Sequence, residues 1–182
     1  TGTLSGVVGS DDVSVSAVAT YNSSAVGTGK TITVVYSISG TDAGNYVKPV
    51  NYSTSTGEIT QTQLTISSPT LTLSKPYDGN DTAAIVATGT LSGVVGSDDV
   101  SVSAVATYDS SDVGSGKTIT VVYSLSGTDA GNYVKPVNYS TSTGSILAVV
   151  PSAPTIGVAT AGNLKASVAF TTPVSDGGSA IT

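Results

Sequence analysis

Residues 88–146 read TGTLSGVVGSDDVSVSAVATYDSSDVGSGKTITVVYSLSGTDAGNYVKPVNYSTSTGSI, and this stretch decides how the chain is organised. Almost the same string occupies residues 1–59, so each residue of the first copy has a counterpart 87 positions later. The copies differ at Asn22/Asp109, Ala25/Asp112, Thr28/Ser115, Ile38/Leu125 and Glu58/Ser145. A repeat of this length is typical of a small globular domain, not of a short solenoid unit. The sequence therefore predicts tandem copies of one domain.

The composition excludes several classes of function. The 182 residues include no Cys, His, Met or Trp, and all six basic residues are Lys. Ser-His-Asp and Cys-His catalysis and the usual zinc, haem and iron–sulfur sites need side chains that this chain lacks. A net charge of −6 without Arg is unsuited to nucleic acid. No apolar run is long enough for a membrane span. Because the side chains that catalysis and cofactor binding usually need are absent, we expect a non-catalytic protein with no cofactor, calcium excepted.

Apolar and polar residues alternate with a period of two, which is typical of half-buried β-strands. The pattern predicts strands over residues 100–108 and 119–125, with equivalents at 13–21 and 32–38. Further strands are predicted at 64–66, 71–73, 84–86, 132–139 and 45–52. Many short strands with Gly-rich turns indicate an all-β fold of tandem Ig-like antiparallel β-sandwich repeats.

A tight turn followed by a tyrosine occurs in both copies, as Asp42 to Tyr46 and as Asp129 to Tyr133. In Ig-like sandwiches such a tyrosine can bury its ring and return its hydroxyl to the backbone, an arrangement called a tyrosine corner. The alternative is an ordinary Asp/Gly turn followed by a core tyrosine. Both interpretations give these four residues a structural role.

A family resemblance rests on two motifs in the second copy. Lys75-Pro76-Tyr77-Asp78-Gly79 precedes a Gly-rich unit that ends on the Asp129 to Tyr133 motif. This combination resembles the YDG/MBG-type repeats found in tandem in large secreted bacterial adhesins. The resemblance implies an all-β module at the cell surface that serves as a stalk or spacer, with Tyr77 in a structural role and no catalytic residue.

The composition changes after the second copy. Residues 148–154 contain two prolines and are predicted to form a stiff linker. Residues 155–182 are similar to the beginning of a fibronectin type III-like domain, with two strands and a DGGS loop. The expected domains are therefore a repeat at 1–59 that lacks its first strands, a complete repeat at 60–147, the linker, and this third segment. We expect the chain to be a window of a longer secreted protein.

Acidic loops suggest a candidate metal site. Oxygen ligands on loops are what Ca²⁺ prefers, and the candidate ligands are Asp78, Asn80, Asp81, Asp98 and Asp99. The alternative is that Asp simply favours turns and strand starts. Lys30, Lys117, Lys48 and Lys135, with Asn51 and Asn138 nearby, also raise the hypothesis of isopeptide crosslinks in a surface stalk.

The function that these observations predict is structural: a tandem-repeat stalk or spacer segment of a bacterial surface adhesin or extracellular filament. Its expected partners are neighbouring repeats of the same chain and other copies of itself in a fibre. The alternative hypothesis is a self-assembling or ligand-binding module, for glycan or calcium, that polymerises by donating a strand to an open sheet edge.

Overall fold

A computed structural model describes residues 3–178, and these residues form β-strands, two short 3₁₀ turns and connecting loops. The all-β prediction is confirmed. The strands are β1 (Ser14–Tyr21), β2 (Gly27–Ser39), β3 (Tyr52–Ile59), β4 (Thr62–Gln63), β5 (Thr65–Ile66), β6 (Thr70–Leu71), β7 (Ser74–Pro76), β8 (Thr82–Ala83), β9 (Ile85–Ala87), β10 (Leu91–Ser92), β11 (Ser101–Tyr108), β12 (Gly114–Ser126), β13 (Tyr133–Val134), β14 (Tyr139–Leu147), β15 (Thr155–Gly162) and β16 (Lys165–Thr171). The 3₁₀ turns span Ala43–Asn45 and Ala130–Asn132. No helix in the described range has the length and apolar character that a membrane span requires.

The described residues divide into two compact units. The first unit contains residues 3–62 together with Gly131–Val134. The second unit contains Gln63–Ala130 together with residues 135–178. Each unit has its own sheets, so each is described separately.

The first unit contains a three-stranded antiparallel sheet in the order β1-β2-β3. β1 and β2 pair without interruption from Ser14 opposite Ser39 to Tyr21 opposite Ile32. The pairing of β2 with β3 shifts register on either side of Lys30, which indicates β-bulges. The strands that the period-two patterns predicted at 13–21 and 32–38 are therefore present, and they pair as a hairpin.

The second unit is built around a five-stranded sheet in the order β7-β14-β12-β11-β8. β11 and β12 form the same hairpin as β1 and β2, from Ser101 opposite Ser126 to Tyr108 opposite Ile119. Two flanking strands extend this sheet: β8 lies antiparallel to β11, and β7 lies parallel to β14. The segment that supplies both flanking strands also supplies β5 and β6, which pair with β10 and β9 respectively. We call residues 63–87 the covering segment.

The core of the second unit lies between the five-stranded sheet and the covering segment. Its buried members are Ala83, Ala106, Tyr108, Ile119, Val121, Tyr123 and Ile146. Ile66, Leu71, Tyr77 and Ile85 of the covering segment pack against this cluster. Burying an aliphatic side chain of this size stabilises a fold by about 1.5–3 kcal/mol. The covering segment therefore shields one face of the second sheet from solvent.

The first sheet carries the same side chains but leaves them far more exposed. Tyr21 is 45% exposed, whereas its counterpart Tyr108 is 3% exposed. Ala19 is exposed and Val34 only partly buried, whereas the matching Ala106 and Val121 are buried. None of the core residues that both copies contain differs between them, so the difference arises from what lies on the sheet and not from the sheet itself.

One predicted pair of strands is largely wrong. Between Asn45 and Tyr52 the chain forms no strand, and within 132–139 only Tyr133–Val134 forms one before β14 begins at Tyr139. A 3₁₀ turn ends at the first residue of each range. The strand begins at Tyr52 or Tyr139 and runs through the Ser/Thr-rich stretch that follows. Pro136, which lacks a backbone donor, lies outside the strands and is fully buried.

The third predicted segment begins as an antiparallel hairpin of β15 and β16. Its two strands contain the predicted strand residues 155–158 and 167–170. Every residue of the hairpin is exposed, including Ile156 and Phe170. Residues 172–178 follow the hairpin without forming a further strand, and residues 179–182 of the predicted segment lie outside the described residues.

Candidate functional site

Two aspartates and a threonine close the same loop in both copies. In the first copy the Asp12 N–H donates to Asp42 Oδ2 at 2.9 Å. The Thr41 N–H and hydroxyl donate to Asp12 Oδ2 at 3.2 and 3.3 Å. The second copy repeats this arrangement with Asp99, Thr128 and Asp129, at 2.9, 3.1 and 3.3 Å. We call this set of contacts the Asp–Thr–Asp clasp. Because its carboxylates accept backbone donors that would otherwise need water, the clasp stabilises the loop.

A glycine lies directly under each clasp. Gly127 has a φ of +115°, and a Cβ placed there would come within 2.2 Å of the Asp99 carbonyl oxygen. Gly40 has a φ of +121° and the same 2.2 Å approach to Asp12. Only glycine fits such a backbone at such a distance. The sequence SGTDAG in each copy therefore encodes a glycine turn followed by the clasp.

The tyrosine after the turn joins two loops in the first copy. The Tyr46 hydroxyl accepts a hydrogen bond from the Val8 N–H at 2.9 Å and donates one to Asp11 Oδ2 at 2.7 Å. The donation to Asp11 raises the pKa of Tyr46, because losing that proton would break the bond and place two anions side by side. Its counterpart Tyr133 is buried at 5% exposure. The structure thus places the candidate residues Asp42, Tyr46 and Asp129 in loop closure and Tyr133 in a buried position.

The candidate calcium ligands Asp78 and Asn80 surround a lysine ammonium. Lys75 Nζ donates to Asp78 Oδ1 at 2.7 Å, to the Asn80 carbonyl oxygen at 2.8 Å and to Asn80 Oδ1 at 2.9 Å. The ammonium lowers the pKa of Asp78, since it favours the carboxylate. The oxygens that sequence reasoning assigned to a metal thus bind a cation of the chain itself.

The other three calcium candidates contact backbone groups. The Asp81 carbonyl oxygen accepts the Tyr108 N–H at 2.7 Å. Asp98 follows a turn in which its N–H donates to the Val95 carbonyl oxygen at 3.1 Å, and Asp99 belongs to the clasp. Among residues 3–178 no group of three acidic side chains has the proximity that a metal site requires.

A second lysine cluster lies at the end of the β11–β12 hairpin. Lys117 is buried, and its Nζ donates to Ser110 Oγ at 2.7 Å and lies 3.6 Å from Asp109 Oδ1. The pKa of Asp109 is lowered, first by the hydrogen bond from the Thr118 N–H and also by the charge of Lys117. The first copy has Asn22 at the position of Asp109, so this ion pair belongs to the second copy alone.

The four lysines of the isopeptide hypothesis make hydrogen bonds. Lys30 Nζ donates to Ser23 Oγ at 2.7 Å. Lys48 and Lys135 donate to the amide oxygens of Asn51 and Asn138 at 3.2 and 3.4 Å. These two contacts repeat between the copies and hold the loop that precedes β3 or β14.

Two core tyrosines bury their hydroxyls. Tyr123 and Tyr108 are 1% and 3% exposed, and neither hydroxyl has a hydrogen-bond partner among the described residues. Burial raises the pKa of both groups. Lys75 Nζ lies 5.8 Å from the centre of the Tyr108 ring, within the range of a cation–π contact. Tyr77 of the YDG motif also packs on this core.

The Asp42 to Tyr46 and Asp129 to Tyr133 motifs therefore lie in closed loops, and Tyr77 of the Lys75 to Gly79 motif packs on the core of the second unit. A family model described as the YDG domain matches residues 1–56 and, a second time, residues 60–143. The chain belongs to the YDG domain family. Neither a curated protein nor a solved structure matches the chain. The second YDG match takes in the covering segment, and the Lys75-Pro76-Tyr77-Asp78-Gly79 motif lies within that segment.

Sequence reasoning missed three residues of these sites. Thr41 and Thr128 donate to the aspartates of the clasps. The available signal was their position between a glycine and an aspartate in a turn. Lys75 is the cation of the YDG motif, and its spacing of three residues from Asp78 was the signal there. In the YDG domain of the second unit, Lys75 thus contacts both the loop oxygens and the face of Tyr108.

Proposed function

We propose that this YDG domain chain is a non-catalytic, load-bearing spacer in the stalk of a secreted bacterial surface protein. Its repeats are Ig-like β-sandwich modules in tandem, and the β15–β16 hairpin begins a fibronectin type III-like module. The contacts at the candidate residues support a mechanical role, since they close loops and fill a core. A stalk transmits force between its ends, so the feature that matters is how each module resists tension.

The parallel pairing of β7 with β14 is the observation that carries this proposal. Ser145, Ile146 and Leu147 lie opposite Ser74, Lys75 and Pro76. Beyond the paired residues, the Ser145 N–H donates to the Leu73 carbonyl oxygen, and the Tyr77 N–H donates to the Leu147 carbonyl oxygen, each at 2.8 Å. These contacts join a strand near the start of the second repeat to the strand at its end.

Tension along the chain would load this pair in shear. Force pulls β7 from its N-terminal side and β14 from its C-terminal side, and the two strands run in the same direction. All hydrogen bonds between them are then strained together, whereas in a pair pulled apart from one end they break one at a time. Forced unfolding depends on the barrier to unfolding, so this geometry favours a module that stays folded under load.

Single-molecule pulling on the 182-residue chain tests this role. Unfolding of the second repeat should appear as one event that releases about 300 Å, since an extended residue spans about 3.6 Å. Ser145→Pro removes the donor to Leu73, and one hydrogen bond is worth about 1 kcal/mol, so the lifetime under constant force should fall about fivefold. Glu58→Pro is the matched control, because position 58 is the counterpart of 145 in the first copy.

The lifetime of the Ser145→Pro variant under force decides whether the β7–β14 pair bears load. An unchanged lifetime of the second repeat under force would contradict the load-bearing role of the β7–β14 pair. So would an equal effect of Glu58→Pro on the same unfolding event. The first sheet has no parallel flanking strand among the described residues, so Glu58→Pro cannot act through such a pair.

A further inference from the structure

In both copies of the repeat, the valine that ends the hairpin loop contacts a loop from a later part of the chain. Val26 and Val113 are counterparts, and they lie directly before β2 and β12. The loops that they contact differ in sequence: Gly131–Val134 in the first unit, and residues 175–178 in the second. We call Val26 and Val113 the docking valines.

The first docking valine binds an amide oxygen. The Val26 N–H donates to Asn132 Oδ1 at 3.0 Å. The same turn is held by Gln61, two residues beyond β3, whose side-chain amide donates to the Gly131 and Tyr133 carbonyl oxygens at 3.0 and 3.3 Å. All of these residues belong to the first unit. A turn that follows the first copy in the chain is thus bound within the first unit at two points.

The second docking valine packs against glycine backbone. Gly178 has a φ of +82°, and a Cβ placed there would clash with the Val113 side chain and lie 2.8 Å from the ring of Tyr77. The adjacent Gly177 is buried, and its carbonyl oxygen accepts the N–H of Val149, two residues beyond β14, at 3.1 Å. Only glycine allows so close an approach at a positive φ. This loop is also held at two points, at the docking valine and just after the last strand of the repeat.

Four of the five differences between the copies lie beside the docking valines. Positions 22/109, 25/112 and 28/115 are within four residues of the valine, and position 58/145 is on the neighbouring strand, where Ser145 lies opposite Ser115. Loops in general tolerate substitution, but two other loops of the repeat, residues 5–12 and 40–51, are identical in the second copy. The differences therefore concentrate at one surface and are not spread over all loops.

The copy-specific residues change how the loop before the docking valine is held. In the second copy the Ser110 hydroxyl donates to Asp112 Oδ2 at 3.0 Å, one residue before the valine. Ala25 is the counterpart of Asp112 and cannot make this contact. Asn22 replaces Asp109, so the ion pair of the second copy is absent from the first. The two loops thus have different internal contacts, which gives the copies a physical means of binding different segments.

We infer that the surface around each docking valine is a docking site for a segment that follows the repeat, and that the copy-specific residues select the segment. The surface of the first copy binds a turn that offers an amide oxygen, and the surface of the second binds a loop of two adjacent glycines. This role goes beyond the spacer function and does not depend on it, because it concerns which segments of the chain bind each other.

Hydrogen exchange at a single amide, measured by NMR on the 182-residue chain, tests docking in the second unit. The Val149 N–H reports on the glycine loop, because it donates to Gly177. We expect Gly178→Ala to accelerate exchange of the Val149 amide at least roughly tenfold, since opening of the contact removes its protection. Gly96→Ala is the matched control, because its φ of +57° is also positive but a Cβ there meets nothing within 4 Å.

Swapping the copy-specific residues tests selection. The variant that gives the second copy the docking surface of the first carries Asp109→Asn, Asp112→Ala, Ser115→Thr and Ser145→Glu. We expect its Val149 amide to exchange at least roughly tenfold faster, while the amides of residues 119–123 in β12 keep their protection. Leu125→Ile, the fifth difference, is the matched control, because it lies at the other end of β12. It should leave the Val149 amide unchanged.

The first copy provides an independent test on a different sheet. Asn132→Ala removes the acceptor of the Val26 N–H, so the Val26 amide should exchange at least roughly tenfold faster. Asn45→Ala, at the counterpart position in the first copy, is the matched control and should have no effect. The reverse swap should act like Asn132→Ala on the same amide, and it carries Asn22→Asp, Ala25→Asp, Thr28→Ser and Glu58→Ser. This test decides the question if the first swap loosens β12.

Three results would overturn the inference. Unchanged exchange of the Val149 amide in Gly178→Ala would mean that the glycine loop does not dock on the repeat. Unchanged exchange of the Val26 amide in Asn132→Ala would mean the same for the turn. Swapped chains that keep the exchange rates of the unmodified chain, or that match the Leu125→Ile control, would mean that the copy-specific residues do not select the segment.

Discussion

Gly127 shows how much of this fold depends on single backbone positions. Its φ of +115° lies in a region that residues with a Cβ rarely adopt, and an added Cβ would lie 2.2 Å from the Asp99 carbonyl oxygen. A substitution there must move the turn that presents Thr128 and Asp129 to the clasp. The clasp therefore depends on a residue that takes no part in its hydrogen bonds.

We predict that Gly127→Ala destabilises the second unit by about 1–3 kcal/mol, the usual cost of a strained backbone conformation. Gly131→Ala is the matched control, since a Cβ there meets nothing within 4 Å and the φ is not positive. Urea unfolding followed by exchange in β12 measures both variants. Equal stabilities of the two variants would contradict the role assigned to Gly127.

The clasp also shows why part of the candidate site was predictable. The turn Asp42 to Tyr46 was recognised as structural from its spacing, because Asp, Gly and a following tyrosine form a local pattern. The calcium hypothesis rested on the same local reasoning at Asp78 and Asn80. It could not foresee Lys75 among those oxygens, because a sequence pattern does not show which side chain fills a loop.

At the scale of elements, the β11–β12 and β1–β2 hairpins were predictable and several other strands were not. Long strands with one buried and one solvent-exposed face show a clear alternation of apolar and polar residues. β14 leaves none, because Ser and Thr fill it and Gly144 lies against Ile119 and Tyr108. The short strands predicted at 64–66, 71–73 and 84–86 overlap β5, β6 and β9, whereas β7, β8 and β10 are two or three residues long, too short for a period to be visible. Their role depends on pairing with distant strands.

The covering segment makes the clearest prediction at this scale. Ile119 is fully buried beneath it, whereas the counterpart Ile32 is only partly buried. Ile119→Ala should therefore destabilise its sheet by about 2–5 kcal/mol, the range for large aliphatic residues in a packed core. Ile32→Ala should cost less than about 1 kcal/mol, as is usual away from a core.

The measurement is the opening free energy of each sheet, obtained from exchange of β12 and β2 at increasing urea concentration. The two variants remove the same atoms from the same local sequence, so their difference reports the covering segment alone. A similar loss of opening free energy at both positions would mean that one face of the first sheet is shielded from water in solution.

At the scale of the whole molecule, one sequence is present in two environments. β2 reads GTGKTITVVYSIS and β12 reads GSGKTITVVYSLS, so their intrinsic exchange rates are nearly equal. Both are central strands with a hydrogen-bonded neighbour on each side. Local hydrogen bonding is thus matched, and the remaining difference is the apolar burial that the covering segment adds above β12.

We predict that amides of β2 exchange at least roughly tenfold faster than those of β12 in the unmodified chain, since opening a sheet without a packed face requires less free energy. Mass spectrometry measures this directly, because the Thr28/Ser115 difference separates the two peptides. The comparison needs no variant, and each strand is the control for the other. Equal protection would mean that the apolar face of the first sheet is covered in solution.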